Sequence, residues 1–366
     1  MPAAPRILIV IGTRPEAIKM APVVHALRDA GQAEVRVVVT AQHRELLDDQ
    51  LTFFGIAPDR DLDAMRQGQD LTALTATLLR GLDEALVAER PALVLAQGDT
   101  TTVLATAIAC FHRRIPFGHV EAGLRTGDLA APFPEEMNRA LADRVATLRF
   151  APTEAAAAQL RGESITGHVL VTGNTVIDAL LWTRARSGAE SAATSGKRRL
   201  LVTVHRRESF GAPLASICAA VRQLADRGDV EVLLPVHPNP EVQRVVTAAL
   251  GAHPAIRLEP PLGYQQMVDA LAACHLVLTD SGGLQEEAPA LGKPVLVLRD
   301  TTERPEGVAA GVARLVGTDP ASIVAAATRL LDDPDAHAAM ARVANPYGDG
   351  RAAPRIAAAC LGFLRG

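Results

Sequence analysis

The sequence predicts an α/β protein built from two doubly wound, Rossmann-like domains, and three observations predict it. Short runs of Val, Ile and Leu alternate with longer amphipathic stretches along the whole chain. The runs are continuously apolar rather than alternating, which marks strands buried on both faces of parallel sheets. The length of 366 residues exceeds what one core comfortably supports and fits two domains of ordinary size.

Taken in order, the first domain shows strand-like runs at Ile7–Ile11, Val35–Val39, Leu93–Ala96 and His168–Val171. Helical patterns at Pro15–Asp29 and Leu71–Ala88 lie between them. The second shows runs at Leu200–Val204, Val230–Val236, Leu276–Thr279 and Val295–Leu298, with helical patterns at Leu214–Arg227 and Gln266–Ala273. Strand–helix alternation of this kind gives parallel sheets covered by helices. The expected division follows the strand at 168–171, with residues 1–171 as the first domain and 172–350 as the second. A hinge is expected near Thr172, and flexibility in the polar, small-residue stretch around 187–198. The final segment, Arg351–Arg365, has the pattern of a helix that would bring residues 351–366 back onto the first domain.

Composition narrows the function. Hydrophobic residues make up 48% and charged residues 21%, an ordinary globular balance. The net charge is −4, without a basic block, and aromatic residues make up 3%. Nucleic-acid binding therefore lacks its cationic footprint, whereas an anionic small molecule needs only a few focused cations. Cys110, Cys218, Cys274 and Cys360 stand apart in apolar surroundings, which predicts buried free thiols. No signal peptide or membrane-length apolar stretch is visible, so a soluble, cytoplasmic protein is expected.

Four motifs sit at predicted strand ends. Gly12-Thr13-Arg14-Pro15-Glu16-Ala17-Ile18-Lys19 follows the first strand, where open α/β sheets bind ligands. Gly12 permits a tight turn and Pro15 suits a helix start. The local pattern leaves open a plain strand-turn-helix with two solvated cations. Ser281-Gly282-Gly283-Leu284-Gln285-Glu286-Glu287 would expose backbone N–H groups at a helix N-terminus, a phosphate site in principle. Glu287, about one turn inside, is placed to accept ribose hydroxyls, while a simple helix cap is the bland alternative. A third group comprises Asp99 after one buried run, Glu121 after the apolar Phe117–Val120 region, then Glu135 and Arg139. Burial and neighbouring cations tune such carboxylates for proton transfer. Singly, helix capping by Asp99 and a structural ion pair for Glu121 explain them as well. Fourth, His205-Arg206-Arg207-Glu208 follows the first strand of the second domain, where His205 mirrors Arg14 and suits a diphosphate or a proton. A loop histidine bonded to backbone fits equally, and His237 carries a weaker version of the same suspicion. No dinucleotide fingerprint, P-loop or H-E-x-x-H pair is present. The acidic run Asp59-Arg60-Asp61-Leu62-Asp63 reads as a solvated loop.

Together the strings GTRPEAIKMAP, TAQHRELLD, GDTTT, GHVEAGLRTGD, PEEMNR, TGNTVIDALL, HRRESFG, TDSGGLQEEAP, GKPVLVLRDTTERPE and NPYGDG resemble the bacterial non-hydrolysing UDP-N-acetylglucosamine 2-epimerases. The resemblance runs from about Arg6 to Arg351. It implies a glycosyltransferase-B-like pair of domains facing a cleft, UDP-N-acetylglucosamine and UDP as ligands, a homodimer, and neither metal nor cofactor. Carried over residue by residue, Arg14, Lys19, Asp99, Glu121, Glu135, Arg139 and His205 fall on active-site positions. Asp99, Glu121, Glu135 and His205 would do the chemistry. Ser281, Gly282, Gly283, Glu287 and Arg304 fall on UDP-binding positions. Met267 stands near the implied uracil, where relatives often carry an aromatic residue. Some members bind a second substrate molecule as activator, partly through the region of Gln42-His43-Arg44. Here Glu45 stands where activated members commonly have Gln, so that regulation is left open. The implied reaction exchanges UDP-N-acetylglucosamine and UDP-N-acetylmannosamine through loss and return of UDP. A hydrolysing relative or a glycosyltransferase of the same fold is the alternative.

Overall fold

All five residues of the apolar run Ile7–Ile11 are fully buried, and the first half of the chain is arranged around them. In the computed structural model, residues 4–40, 44–66, 68–165, 167–187, 196–206 and 209–366 are described. Contacts divide the chain into two units, Met1–Ala179 with Gly348–Gly366, and Leu180–Tyr347.

The strands of the first unit are β1 (Arg6–Ile11), β2 (Glu34–Val39), β3 (Arg60–Asp61), β4 (Leu93–Gln97), β5 (Phe117–Val120), β6 (Leu148–Ala151) and β7 (His168–Val171). Its helices are α1 (Arg14–Ala30), α2 (Arg44–Phe53), α3 (Leu71–Glu89), α4 (Thr101–Arg113), α5 (Glu135–Val145), α6 (Glu154–Gly162) and the start of α7 (Thr175–Arg186). The strands form one parallel sheet in the order β3-β2-β1-β4-β5-β6-β7, with Ile7 level with Val35 on one side and Leu93 on the other. Leu8 and Val10 pack beneath Leu74, Leu78, Leu82 and Leu86 of α3 and Val103 of α4. Because strand side chains alternate, Ile7, Ile9 and Ile11 take the opposite face. Each such buried aliphatic side chain contributes about 1.5–3 kcal/mol.

The second unit contains β8 (Arg198–Thr203), β9 (Val230–Pro235), β10 (Ile256–Glu259), β11 (Leu276–Thr279), β12 (Val295–Val297) and β13 (Ala313–Leu315). Around them lie α8 (Ala212–Ala225), α9 (Pro240–Leu250), α10 (Tyr264–Ala273), α11 (Gly282–Ala290), α12 (Pro305–Ala310), α13 (Pro320–Asp332) and α14 (Pro334–Ala341). The sheet is again parallel, in the order β10-β9-β8-β11-β12-β13. Its core joins Leu200 and Val202 to Leu214, Ile217, Val221 and Leu224 of α8, with Val246 and Ile323.

The last helix, α15 (Ala352–Arg365), belongs to the first unit and packs on α1. Asp178 fixes its start by accepting from the N–H groups of Ala352 and Ala353 at 3.2 and 2.8 Å. This anchor helps explain why the division lies between Ala179 and Leu180, inside α7, rather than at Thr172. The first turn of α7, with buried Val176 and Ile177, holds α15 and so stays with the first unit. Residues 188–195 of the stretch expected to be flexible, and Gln42 and His43 of the activator region, lie outside the described residues. Among the described residues, no helix is long and apolar enough to cross a membrane.

Both sheets reverse direction once. In the first, the chain winds outward from β1 through β2 and β3, then restarts at β4 on the other side; in the second, β8 and β11 flank the reversal. The carboxyl ends at such a reversal diverge and leave a crevice, the usual ligand site of open α/β sheets.

Candidate active site

In the first unit, the crevice between β1 and β4 is edged by Gly12-Thr13-Arg14 and Gly98-Asp99-Thr100. The two segments approach closely: a Cβ on Gly12 would lie 2.4 Å from the Thr102 hydroxyl, so only glycine fits there. Thr13 and Glu16 form a capping box at the start of α1. Glu16 is buried and accepts from the backbone N–H groups of Gly12 and Thr13 at 2.5 and 3.2 Å. Burial raises its carboxyl to about 7, against the pull of those bonds. Arg14 is half-buried at the first position of α1, and among the described residues it makes no ion pair.

Lys19, one turn further on, gives its ammonium to Glu121 Oε2 at 2.6 Å. Gln97 donates to the same oxygen, and Asn174 donates to Oε1 at 3.3 Å. Glu121 is buried and sits just past β5 with φ +67°, in the left-handed region. That conformation costs a non-glycine residue about 1–2 kcal/mol, and three side-chain donors from β4, α1 and the start of α7 hold it. Gly123, with φ +90°, continues the turn where a Cβ would strike the carbonyl of Ala156.

Asp99 lies across this group. Thr100, not Asp99, caps α4 through the N–H of Val103, so the Asp99 side chain is released from that duty. Arg139 donates to its Oδ2 at 3.2 Å while Glu136 holds the other side of the guanidinium at 2.6 Å. Asn138 donates to its backbone carbonyl at 2.9 Å. Burial pushes the Asp99 carboxyl up; Arg139 and Lys19 oppose this, while Glu121 and Glu135 add to it. Glu135 opens α5 and is half-buried. Lys19, Asp99, Glu121, Glu135 and Arg139 are thus one electrostatic cluster, with Arg14 at the start of the helix that carries Lys19.

In the second unit, the crevice between β8 and β11 is edged by Val204-His205-Arg206 and Asp280-Ser281-Gly282. Asp280 is completely buried. It accepts from His205 N–H and Arg206 N–H at 3.1 and 3.0 Å, from the Ser209 hydroxyl at 2.9 Å, and faces His205 Nδ1 at 2.9 Å. Burial opposes its charge, but His205 and these donors win and keep the carboxyl below its usual range. A carboxylate opposite Nδ1 fixes that nitrogen as the donor and turns exposed Nε2 outward. Ser281 caps α11, leaving Gly282 and Gly283 in its first turn, where N–H groups and the dipole favour an anion.

Glu287 lies in the next turn of α11, within electrostatic reach of buried Tyr264 at the start of α10. Met267, half-buried, is one turn along α10. Arg304 bonds to Glu286, and its backbone is pinned on both sides. Tyr347 donates its hydroxyl to the carbonyl of Arg304 at 3.0 Å and accepts from Gly307 N–H at 2.8 Å. Arg206 and Arg299 share the exposed Glu303, whose carboxyl they draw down to about 2 against its partial desolvation.

Sequence reasoning named the groups at the strand ends but missed residues that hold them: Gln97 and Asn174 in the first unit, Asp280 and Tyr347 in the second. A polar residue closing a buried apolar run, as Gln97 and Asp280 do, is the signal that was available. His237 accepts from the N–H of Asn239, and Asp59 is used by Val37 N–H and Arg36. The four cysteines are buried and free. Among the described residues, no group of three or more potential ligands is placed to hold a metal.

A sequence model described as "UDP-N-acetylglucosamine 2-epimerase" matches residues 25–361. The UDP-N-acetylglucosamine 2-epimerase of Escherichia coli K12 is 50% identical over 364 residues, covering 96% of this chain and 97% of that protein. The crystal structure of UDP-GlcNAc 2-epimerase from Neisseria meningitidis bound to UDP-GlcNAc is 41% identical, with TM-score 0.88 over 98% of this chain and 100% of that one. The glycotransferase of kitacinnamycin, 14% identical with TM-score 0.71 over 98% of this chain and 99% of that one, shares the fold alone. Two doubly wound units of glycosyltransferase-B-like kind, with carboxylates at one sheet reversal and an N–H-rich turn at the other, accord with these matches, and the chain belongs to the UDP-N-acetylglucosamine 2-epimerase family.

Proposed function

We propose that this protein interconverts UDP-N-acetylglucosamine and UDP-N-acetylmannosamine without hydrolysing them. The observation that carries the reading is the carboxylate cluster at the β1/β4 reversal. Asp99 is held with its carboxyl raised, beside a Glu121 gripped by three donors. Neighbouring carboxyl groups in unlike surroundings are what acid–base chemistry on one substrate requires.

The hydrogen at C2 of the sugar has no adjacent carbonyl to make it acidic. Its loss becomes feasible when coupled to breakage of the C1–O bond: the C2–H electron pair forms the C1–C2 double bond as UDP leaves with the C1–O pair. The products of that step are 2-acetamidoglucal, UDP and a proton held by a carboxylate. Reversal, with a proton delivered to the other face of C2 and UDP rejoining C1, gives the epimer. A proton leaves and a proton returns, so the reaction is redox-neutral. Asp99, Glu121 and Glu135 are the proton-transfer groups. Arg14, Lys19, His205 and the turn at Ser281, Gly282 and Gly283 serve the diphosphate, whose charge grows as it departs. Glu287, Arg304 and Met267 serve the nucleoside. Arg139 sets the charge around Asp99. Buried free thiols fit a reducing compartment, and we place the enzyme in the cytoplasm, as a homodimer.

The test is the reaction of UDP-N-acetylglucosamine in D2O, followed by NMR. Deuterium should enter C2 of the product and also accumulate in recovered substrate, with small amounts of free UDP and 2-acetamidoglucal after long incubation. An epimer that keeps its original hydrogen would overturn the elimination. Free N-acetylmannosamine as the sole amino sugar would assign the hydrolysing reaction instead.

A further inference from the structure

His119 lies in the middle of the first unit, completely buried on β5, and takes no part in the chemistry above. Its two ring nitrogens face two acceptors. Nδ1 is 2.7 Å from Asp143 Oδ1, and Nε2 is 2.7 Å from the carbonyl oxygen of Gly98. A neutral imidazole has one N–H and one lone pair, so in this position it would aim a lone pair at an oxygen lone pair at close range. Asp143 is not the proton carrier: burial opposes its charge, but His119 and Arg125 outweigh burial and keep its carboxyl below the usual range. Its other oxygen accepts from Gly123 N–H at 3.1 Å and from Arg125 at 2.8 Å, the bonding of an ionised carboxylate.

We infer that His119 is a buried imidazolium whose two protons clamp the carboxylate-bearing segments together, making His119 and Asp143 positioning residues for the reaction. The inference rests on the reading of Asp99, Glu121 and Glu135 as the reacting groups. The Gly98 carbonyl immediately precedes Asp99, and Asn138 holds the Asp99 carbonyl from the other side. Gly123, tied to Asp143, stands two residues after Glu121. Asp143 is on α5, one turn beyond Arg139 and two beyond Glu135. One ion pair therefore joins the end of β4, the turn after β5 and α5.

The surrounding charges fit. Asp143 faces His119 from α5, Asp99 adds negative potential from the end of β4, and Arg125 from the loop after β5 completes the balance with Glu163, just past α6. Arg149 on β6 donates to the Asp143 backbone carbonyl at 2.7 Å. Burial alone would lower the His119 pKa, but Asp143, the Gly98 carbonyl and Asp99 reverse this and raise it. A group raised in the folded state contributes stability that is full below its unfolded pKa and is lost as pH climbs through the folded one. The clamp therefore loosens on the alkaline side.

The experiment is 15N NMR of histidine-labelled full-length protein with its bound state left apo, assigned by comparison with His119→Gln. At pH 7.5 both His119 nitrogens should carry protons. A single protonated nitrogen at that pH would overturn the inference, whether or not the chain epimerises anything. For turnover, His119→Gln should lower kcat by about 100-fold, as expected when reacting groups move by about 1 Å. UDP affinity should be unchanged, and the alkaline limb of the wild-type pH profile should shift. A variant that folds and keeps wild-type kcat and pH profile would overturn it equally.

Discussion

Asp99 feels burial, the pull of Arg139 and Lys19, and the push of Glu121 and Glu135 together, and burial wins. Its carboxyl therefore retains a proton to higher pH than an exposed aspartate, as a general acid needs. Replacement by Asn keeps the size and the hydrogen bond to Arg139 in form but removes the exchangeable proton. Asp99→Asn should fall in turnover by about 100-fold or more while binding UDP as before. Turnover within a few-fold of the parent would take Asp99 out of the mechanism. Asp99, Glu121 and His205 were legible because each is a polar residue directly after an apolar run, at a sheet edge where ligands bind. The residues that hold them were less so. Asn174 reaches Glu121 across 53 positions and Asp280 reaches His205 across 75, and no local pattern encodes a contact between two separate strand ends. Nor could the chain show that Thr100 rather than Asp99 caps α4, since both have capping side chains.

The long elements were the legible ones. β1, β2, β4, β8 and β11 are apolar throughout, and α1 and α3 carry clear helical spacing. β5 (Phe117–Val120) reads only as a short apolar region interrupted by His119, β6 (Leu148–Ala151) is broken by Arg149, and β13 is three residues at a sheet edge. His119 and Arg149 are buried there through the Asp143 network, so a structural demand looks like a polar interruption in the sequence. The helices also carry an unexplained surface. Leu71 and Val87 on α3, Phe111 on α4, and Met137 and Leu141 on α5 are exposed, and these three helices pack side by side. Exposed apolar groups clustered on adjoining elements mark association surfaces, and a second copy of this chain is the occupant the proposed homodimer supplies. Phe111, 66% exposed, is the largest of them. Phe111→Glu should shift the protein from dimer to monomer in sedimentation velocity with its melting behaviour retained. An unchanged sedimentation coefficient would place the dimer contact elsewhere, and a monomeric parent would dismiss the homodimer.

At the scale of the whole chain, ligand binding and folding are linked. A molecule that binds only the native state adds RT ln(1 + [L]/Kd) to stability, about 2.7 kcal/mol at 100 times Kd. For a unit the size of Leu180–Tyr347, about 2–4 °C of melting temperature accompanies each kcal/mol. UDP at that concentration should therefore raise the transition of the second unit by about 5–10 °C in scanning calorimetry. The first unit should respond less, because the proposed nucleoside contacts, Met267, Glu287 and Arg304, all belong to the second. Glu287→Ala removes a carboxylate expected to bind the ribose, at a cost of about 1–3 kcal/mol in affinity. At the same UDP concentration, between about a third and nine tenths of the upward shift should then disappear. The comparison is between shifts, with and without UDP, so any change in the unliganded melting temperature of the variant cancels. A variant shift equal to that of the parent would move UDP away from α11. A parent that does not respond at all, at millimolar UDP, would remove the nucleotide from the second unit and with it the proposed division of labour between the two sheets.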